Sequence, residues 1–265
     1  EISNVSGGPK MFQLYINKDK GLTDNLIDRC KRSGFKAMCL TVDTVVAGNR
    51  ERDHRWGFTT PPKLTLKSLL SFATHPMWSI NYLTHEKFQL ANVSHFTKKG
   101  SSIAKGVMEY INEQYDPKMN WQDAEYCIKR WGGPFAIKGV MSVEDAKRAV
   151  EIGASAIMLS NHGGRQLDGS RSPFDQLPAI AEAVGGKLEL ILDGGVRRGT
   201  HVLKALSLGA TACSFGKGYL FALGAGGQKG VEALLQRMHD EIRRDMILLG
   251  CKTIKDLKKT NIAYR

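Results

Sequence analysis

The sequence predicts an α/β fold of the parallel (β/α)8, or TIM, barrel class, with about six of the eight βα units in the chain. Three observations predict it. Six short, nearly all-apolar runs alternate with helical patterns, as strands buried on both faces alternate with their crossover helices. Three helices end in a glycine followed by small residues and then a strand, at Gly34, Gly153 and Gly209. Nearly every strand ends in a polar or glycine cluster, and groups from six strand ends converge on one point only if the sheet closes. A doubly wound sheet is the arrangement this last observation argues against.

The elements follow in order. Strand 11–16 (MFQLYI) carries Gln13 and Tyr15 at its end, and a helix spans about 22–33. Strand 37–43 (AMCLTVD) ends in Thr41 and Asp43, with Arg50 and Arg52 just beyond. A stretch from 54 to 120 is far too long for an ordinary βα loop and reads as an insertion over the active-site face. The rhythm resumes with a helix over 122–131 and strand 135–140 (FAIKGV), which holds Lys138. Ser142 and Asp145 have capping-box spacing and open a helix over 142–152. Strand 156–161 (AIMLSN), helix 175–184, strand 188–193 (LELILD), helix 199–208, strand 210–216 (ATACSFG) and helix 228–249 complete the chain. Residues 1–265 are thus one barrel domain, with two sheet edges open if the chain stands alone. The chain opens Glu1-Ile2-Ser3, and the expectation is that a preceding segment supplies the two remaining strands.

Composition excludes several classes. The 265 residues include 38 Lys and Arg against 26 Asp and Glu, for a net charge of +12, with 42% apolar residues. That composition is not disordered, collagen-like or a disulfide scaffold, and there is no run of about 20 apolar residues to span a bilayer. The five cysteines are scattered without a C-x-x-C pair, which reads as reduced thiols in an intracellular protein, and no metal-ligand spacing occurs. The basic excess is spread along the chain rather than gathered in a stripe. It fits anionic small molecules or an anionic membrane surface better than nucleic acid, or it serves solubility.

The insertion has a character of its own. No acidic residue occurs between Asp53 and Glu86. This stretch holds Trp56, Phe58, Leu64, Leu66, Leu69, Leu70, Phe72, Trp78 and Tyr82, with Arg55, Lys63 and Lys67. Aromatic, leucine-rich and cationic sequence suits a membrane interface; a lid on the barrel or a subunit contact is the alternative.

Three clusters carry chemistry. In Ser160-Asn161-His162-Gly163-Gly164-Arg165, a histidine just past a strand end can act as a general base, and an arginine three residues on can hold a carboxylate. A lone histidine there is more often structural, but the glycines and Arg165 argue for function. In Asp193-Gly194-Gly195-Val196-Arg197 and Gly216-Lys217-Gly218, glycine pairs after strands let backbone N–H groups approach a phosphate, although tight turns without a ligand look the same. Lys138 on an apolar strand must face a polar centre or an anion, and Asp43 is placed to charge-stabilise an imidazolium.

The segments SNHGGRQLDG (160–169), LDGGVRRGTHVLKALSLGA (192–210), FQLY (12–15), TVD (41–43) and IKGV (137–140) resemble the FMN-dependent L-2-hydroxy-acid dehydrogenase/oxidase family. That family includes L-lactate dehydrogenase, glycolate oxidase and mandelate dehydrogenase. Thr74-His75-Pro76-x-Trp78 and Tyr115-Asp116-Pro117-x-x-x-Trp121 are most similar to its bacterial lactate and mandelate dehydrogenase branch, whose members are often membrane-associated through this insertion. The resemblance implies His162 as the base paired with Asp43, Arg165 and Arg50 on the substrate carboxylate, and Tyr15 on the substrate. It places Lys138 by the flavin, Gln13 and Thr41 on its ring, Asp193 on the ribityl chain, and Gly194, Gly195, Arg197, Gly216 and Lys217 at the phosphate.

The activity implied is oxidation of an L-2-hydroxy acid, L-lactate first, to the 2-keto acid, with glycolate or mandelate as alternatives. The cofactor is FMN, with no metal and no nucleic acid. The electron acceptor is a quinone of the respiratory chain, or oxygen. The assembly is a homo-oligomer, a tetramer by resemblance, and the location is intracellular, peripheral on the cytoplasmic face of the inner membrane. One departure concerns position 217, Lys where the family usually has Arg, which keeps the charge and loses the bidentate fork. Two other readings share parts of the pattern. A different FMN or phosphate-binding barrel shares the glycine loops without requiring His162 and Arg165, and a truncated barrel without activity shares the whole chain.

Overall fold

The computed structural model describes residues 2–51, 55, 65–85, 92 and 113–263. Of the residues singled out above, Glu1, Arg52, Asp53, Trp56, Phe58, Lys63, Leu64 and Glu86 lie outside this set, as does much of the stretch 54–120. In chain order the elements are α1 (Ile2–Val5), β1 (Met11–Leu14), α2 (Lys20–Arg32), β2 (Ala37–Thr41), α3 (Leu66–Thr74), α4 (Pro76–Thr84), α5 (Trp121–Trp131), β3 (Phe135–Lys138), α6 (Val143–Glu151), β4 (Ala156–Leu159), α7 (Pro173–Val184), β5 (Glu189–Asp193), α8 (Gly199–Ser207), β6 (Ala212–Ser214) and α9 (Lys217–Leu248). Two 3-10 turns, Ile254–Asp256 and Lys259–Asn261, follow.

The six strands form one parallel sheet in the order β1-β2-β3-β4-β5-β6. A doubly wound sheet reverses its strand order at a switch point. Here every crossover advances the sheet by one strand, and right-handed crossovers of that kind put their helices on one face and curl the sheet as a barrel wall does. Among the described residues β1 and β6 are its two edges.

The two faces of that wall bury different residues. Met38 and Leu40 of β2, Phe135 and Ile137 of β3, Ile157 and Leu159 of β4, and Leu190 and Leu192 of β5 join the helices in the main core. The alternating positions Cys39, Ala136, Ala156 and Met158 form a second, smaller cluster with Ile191 packed on it. Side chains alternate across a strand with a period of two. The residues continuing the second set toward the carboxyl ends are therefore Thr41, Lys138, Ser160 and Asp193. The register sets Thr41 opposite Lys138 and Asp193 opposite Ser214. The polar strand ends thus share the concave face.

Local signals account for the helix ends. Asp19 caps α2 by accepting from the Gly21 and Leu22 amides, and Asn120 and Asp123 form a reciprocal box at the start of α5. At α6, Ser142 accepts from the Asp145 amide at 3.1 Å, which is the forward half of the expected box. Gly34, Gly153 and Gly209 hold φ of 71°, 82° and 102°, the left-handed turn expected where each helix hands over to a strand.

Two elements differ from the expectation. The last helix starts at Lys217 rather than 228, and non-helical dihedrals at Gly226 and Gly227 break it into two segments. The glycine-rich run 224–230 disguised the first segment, because glycine is a poor helix former. Within the insertion the chain forms α3 and α4, which bury no residue.

Candidate active site

Four strand ends build the centre of the site. Asp193 Oδ2 accepts from Ser160 Oγ at 2.7 Å and lies 3.2 Å from Lys138 Nζ. Burial pushes the Asp193 carboxyl up, but the Ser160 hydrogen bond and the Lys138 charge outweigh it, so the group ionises below the usual carboxylate range. Asp193 in turn holds the Lys138 side chain, which is 13% exposed, on the concave side. Ser160 does double duty, since its Oγ also accepts from the His162 amide at 3.1 Å.

That amide contact holds an unusual backbone. His162 has φ of 57°, and it is the one non-glycine residue in the left-handed region among those described. Such a conformation costs on the order of 1 kcal/mol and persists where the surroundings enforce it. Here it turns the imidazole back toward β2. His162 Nδ1 stands 3.0 Å from Asp43 Oδ1, and both side chains are largely buried. Thr44 Oγ1 donates to the same Oδ1 at 3.0 Å. With Nδ1–H donated to Asp43, the Nε2 lone pair is the free basic position of the ring.

His162, but not Asp43, lines a cavity of about 1040 Å³. Its lining runs from Gln13 through Lys138, His162 and Arg165 to the glycine loops at 194–195 and 216–218. Arg165 and Arg197 are exposed and their side chains make no hydrogen bond or ion pair among the described residues, which leaves two cations free for an anion. Lys217 also lines the cavity, but its Nζ donates to the Gly163 carbonyl at 3.1 Å and so ties the β6 loop to the β4 loop. Sequence reasoning did not single out Phe174, Phe215 or Tyr219, which supply apolar wall. Their signal, an aromatic just past a strand end or inside a helix, is shared with ordinary core residues.

The remaining candidates sit beside the cavity rather than in its lining. Tyr15 accepts from Gln13 Nε2 at 2.8 Å, and burial, with Tyr115 and Asp43 nearby, raises its phenol above the usual value. It stays protonated and able to donate across the neutral range. Thr41 is 2% exposed and its hydroxyl has no hydrogen-bond partner. Arg50 is exposed and outside the lining, without a hydrogen bond or ion pair among the described residues. The thiols are free, and burial pushes Cys39 and Cys127 up to about 12, which keeps them out of nucleophilic chemistry.

The site fits a flavin mononucleotide on its own evidence. Gly194 and Gly195 have φ of 101° and 72°, and a Cβ built on either, or on Gly216, meets open space. The Gly194 N–H is donated to the Ser214 carbonyl at 3.2 Å, while those of Gly195 and Gly216 can approach a phosphate flanked by Arg197 and Lys217. Lys138 offers a partly buried amine to an anionic ring, and the Thr41 hydroxyl, buried without a partner on the same face, suits a polar ring atom.

A parallel barrel wall with open glycine loops, a partly buried lysine and an imidazole–carboxylate pair at its carboxyl edge defines a cofactor-dependent barrel enzyme. The chain belongs to the FMN-dependent dehydrogenase family, whose model matches residues 1–264. It is 42% identical over 255 residues to an L-lactate oxidase of Nostoc sp., covering 96% of this chain and 64% of that protein. It is 39% identical over 263 residues to an L-lactate dehydrogenase of Serratia proteamaculans, covering 99% and 69%. Among solved structures it is similar to the monotopic membrane protein (S)-mandelate dehydrogenase, with a TM-score of 0.93 and 32% identity over 100% of this chain and 69% of that one. The chain thus spans about two thirds of the length of these relatives.

Proposed function

We propose that the protein oxidises an L-2-hydroxy acid to the 2-keto acid with FMN as its cofactor, and that L-lactate is the first substrate. The observation that carries this is the His162–Asp43 pair at 3.0 Å, with His162 lining one cavity together with an unpaired Arg165 and a partly buried Lys138. The matches to an L-lactate oxidase and an L-lactate dehydrogenase support the choice of acid.

Each residue then has a task. Arg165 binds the substrate carboxylate through a charge-assisted, bidentate contact, and Arg50 joins it by loop movement. Tyr15 donates to the substrate oxygen. His162 Nε2 takes the proton released on oxidation, and Asp43 stabilises the imidazolium that results. Lys138 stabilises negative charge on the reduced ring, held in place by Asp193. Gln13 and Thr41 meet the ring, Asp193 the ribityl chain, and Gly194, Gly195, Arg197, Gly216 and Lys217 the phosphate. Bound FMN supplies the acceptor for the two electrons.

The helices α3 and α4, which belong to the described part of the insertion, dock the protein on an anionic membrane surface at the cytoplasmic face of the inner membrane. The similarity to a monotopic membrane dehydrogenase supports this. Among the described residues no helix is long and apolar enough to cross a membrane. Docked, the protein passes electrons to a quinone; free of the membrane, it passes them to oxygen. It works as a homotetramer. The test is anaerobic addition of L-lactate, glycolate and mandelate to the FMN-bound protein. Visible flavin absorbance bleaches with L-lactate, and an unchanged spectrum with all three acids rejects the proposal.

A further inference from the structure

Gln166 follows Arg165 on the β4 loop, yet its contacts lie on the β2 loop. Its Nε2 donates to the Asp43 carbonyl at 3.1 Å and to the Val46 carbonyl at 3.0 Å. Two carbonyl acceptors leave no choice of amide orientation, because the flipped amide would set Oε1 against both. Both donors are thereby used, while Oε1 is buried without a hydrogen-bond partner. A residue serving only to fill space would avoid that burial cost. The backbone presses in at the same point. A Cβ on Gly48 would run into the Arg165 carbonyl oxygen and come within 2.9 Å of Gln166 Cα. The loop carrying Asp43 is thus clamped to the loop carrying His162 and Arg165 through Gln166, a side chain outside the cavity lining that makes no hydrogen bond to the imidazole.

We infer that Gln166 is a positioning residue, whose two hydrogen bonds to the 43–46 main chain hold Asp43 in register with His162. This rests on the proposed hydroxy-acid oxidation. A donor-free side chain at 166 releases the 43–48 loop, lets the Asp43 carboxylate drift, and slows proton removal while substrate binding at Arg165 persists. A misplacement of about 1 Å costs on the order of 10- to 100-fold in such geometry.

The experiment compares the FMN-bound wild type with Gln166→Leu, which keeps the bulk and loses the donors, and Gln166→Glu, which turns acceptors toward the two carbonyls. Expected are a kcat per bound flavin lower by about 10-fold or more, a KM that changes less than kcat, and a larger isotope effect with the acid deuterated at C2. Amide exchange in a peptide covering residues 42–50 should quicken, with a peptide covering β5 unchanged. An unchanged kcat per flavin, a loss confined to KM, or unchanged exchange at 42–50 in Gln166→Leu overturns the inference. Wild-type protein that fails to bleach with any hydroxy acid overturns the reaction instead, and the exchange result still decides whether Gln166 holds the loop.

Discussion

His162 and Asp43 meet at 3.0 Å from strand ends 119 residues apart in the chain. Three local devices make that meeting: the left-handed backbone at His162, the Ser160 hydroxyl on its amide, and the Thr44 hydroxyl on the same carboxylate oxygen. The direction of the bond fixes which ring nitrogen is basic. Asp43→Asn removes the charge and can offer the ring an N–H in place of an acceptor. Flavin reduction by L-lactate should slow by about 10²- to 10⁴-fold, with FMN still bound. Stopped-flow reduction under anaerobic conditions reads this directly, and a rate within about threefold of wild type would remove Asp43 from the mechanism.

Arg165 lines the cavity with no protein partner, so its charge is available to a substrate carboxylate. A hydrogen bond to a charged group is worth about 1.5–3 kcal/mol. Arg165→Met should therefore lower kcat/KM for the hydroxy acid by about 10- to 150-fold, most of it in KM. The same variant separates this enzyme from other phosphate-cofactor barrels, in which that position has no carboxylate to hold. Steady-state kinetics with unchanged KM would show that the substrate is bound elsewhere.

The residues legible in the sequence were those whose position alone dictates their environment. Lys138 and Asp193 interrupt apolar strands, and a charge on such a strand has only the concave face to occupy. The six strands were legible for the same reason, since burial on both faces leaves nearly unbroken apolar runs. What the sequence left dark depends on loop paths. Gln166 stands in a recognisable segment, but its role follows from where residues 43–48 run, and local pattern says nothing of that. Arg50 is the converse: the family resemblance puts it on the substrate carboxylate, and its loop leaves it outside the cavity lining. The helices α3 and α4 bury no residue, so the packing against a core that fixes an ordinary surface helix is missing.

Asp193 gives the acid limb of stability a named source. Its carboxyl ionises below the usual range, so it binds fewer protons folded than unfolded. That contribution is present above the ordinary carboxylate value of about 3.9 and is lost as pH falls through the lower, folded value. Asp193→Asn should flatten the fall in unfolding midpoint between about pH 5 and pH 2. It should also lower stability at neutral pH, on the order of 3 kcal/mol, by stranding the Lys138 ammonium. Denaturant titrations at stepped pH test both, and an acid limb as steep as wild type would place the titrating group elsewhere.

Gly139 is a backstop for Asp43. It has φ of 109°, and a Cβ there would come within 2.9 Å of Asp43 Cβ and 3.0 Å of Asp43 N. Gly139→Ala combines left-handed strain with a collision against backbone, costing about 1–3 kcal/mol. Relief comes most easily by moving Asp43, so turnover should fall along with stability. Equilibrium unfolding and flavin reduction on the same preparation check this, and an alanine variant that unfolds at the wild-type midpoint would mean the β2 loop yields freely.

The helices α3 and α4 expose what a folded protein ordinarily hides. Leu66, Met77 and Leu83 are each about four-fifths exposed, at 78%, 79% and 80%. Phe72, Trp78 and Tyr82 stack in a row at centroid separations of 5.5 and 5.3 Å. No acidic residue lies between Asp53 and Glu86, so nothing in the segment repels an anionic surface. Apolar contact and cationic attraction together favour the interface between water and an anionic bilayer. The protein should co-sediment with vesicles containing anionic lipid, and added salt should weaken binding by screening the charge while leaving the apolar part. The variant Leu70→Asp/Leu83→Asp puts charge on the exposed side without touching the barrel, and it should release the protein from vesicles while flavin reduction by L-lactate continues. Vesicle binding equal to wild type in that variant would assign these helices to a protein contact instead.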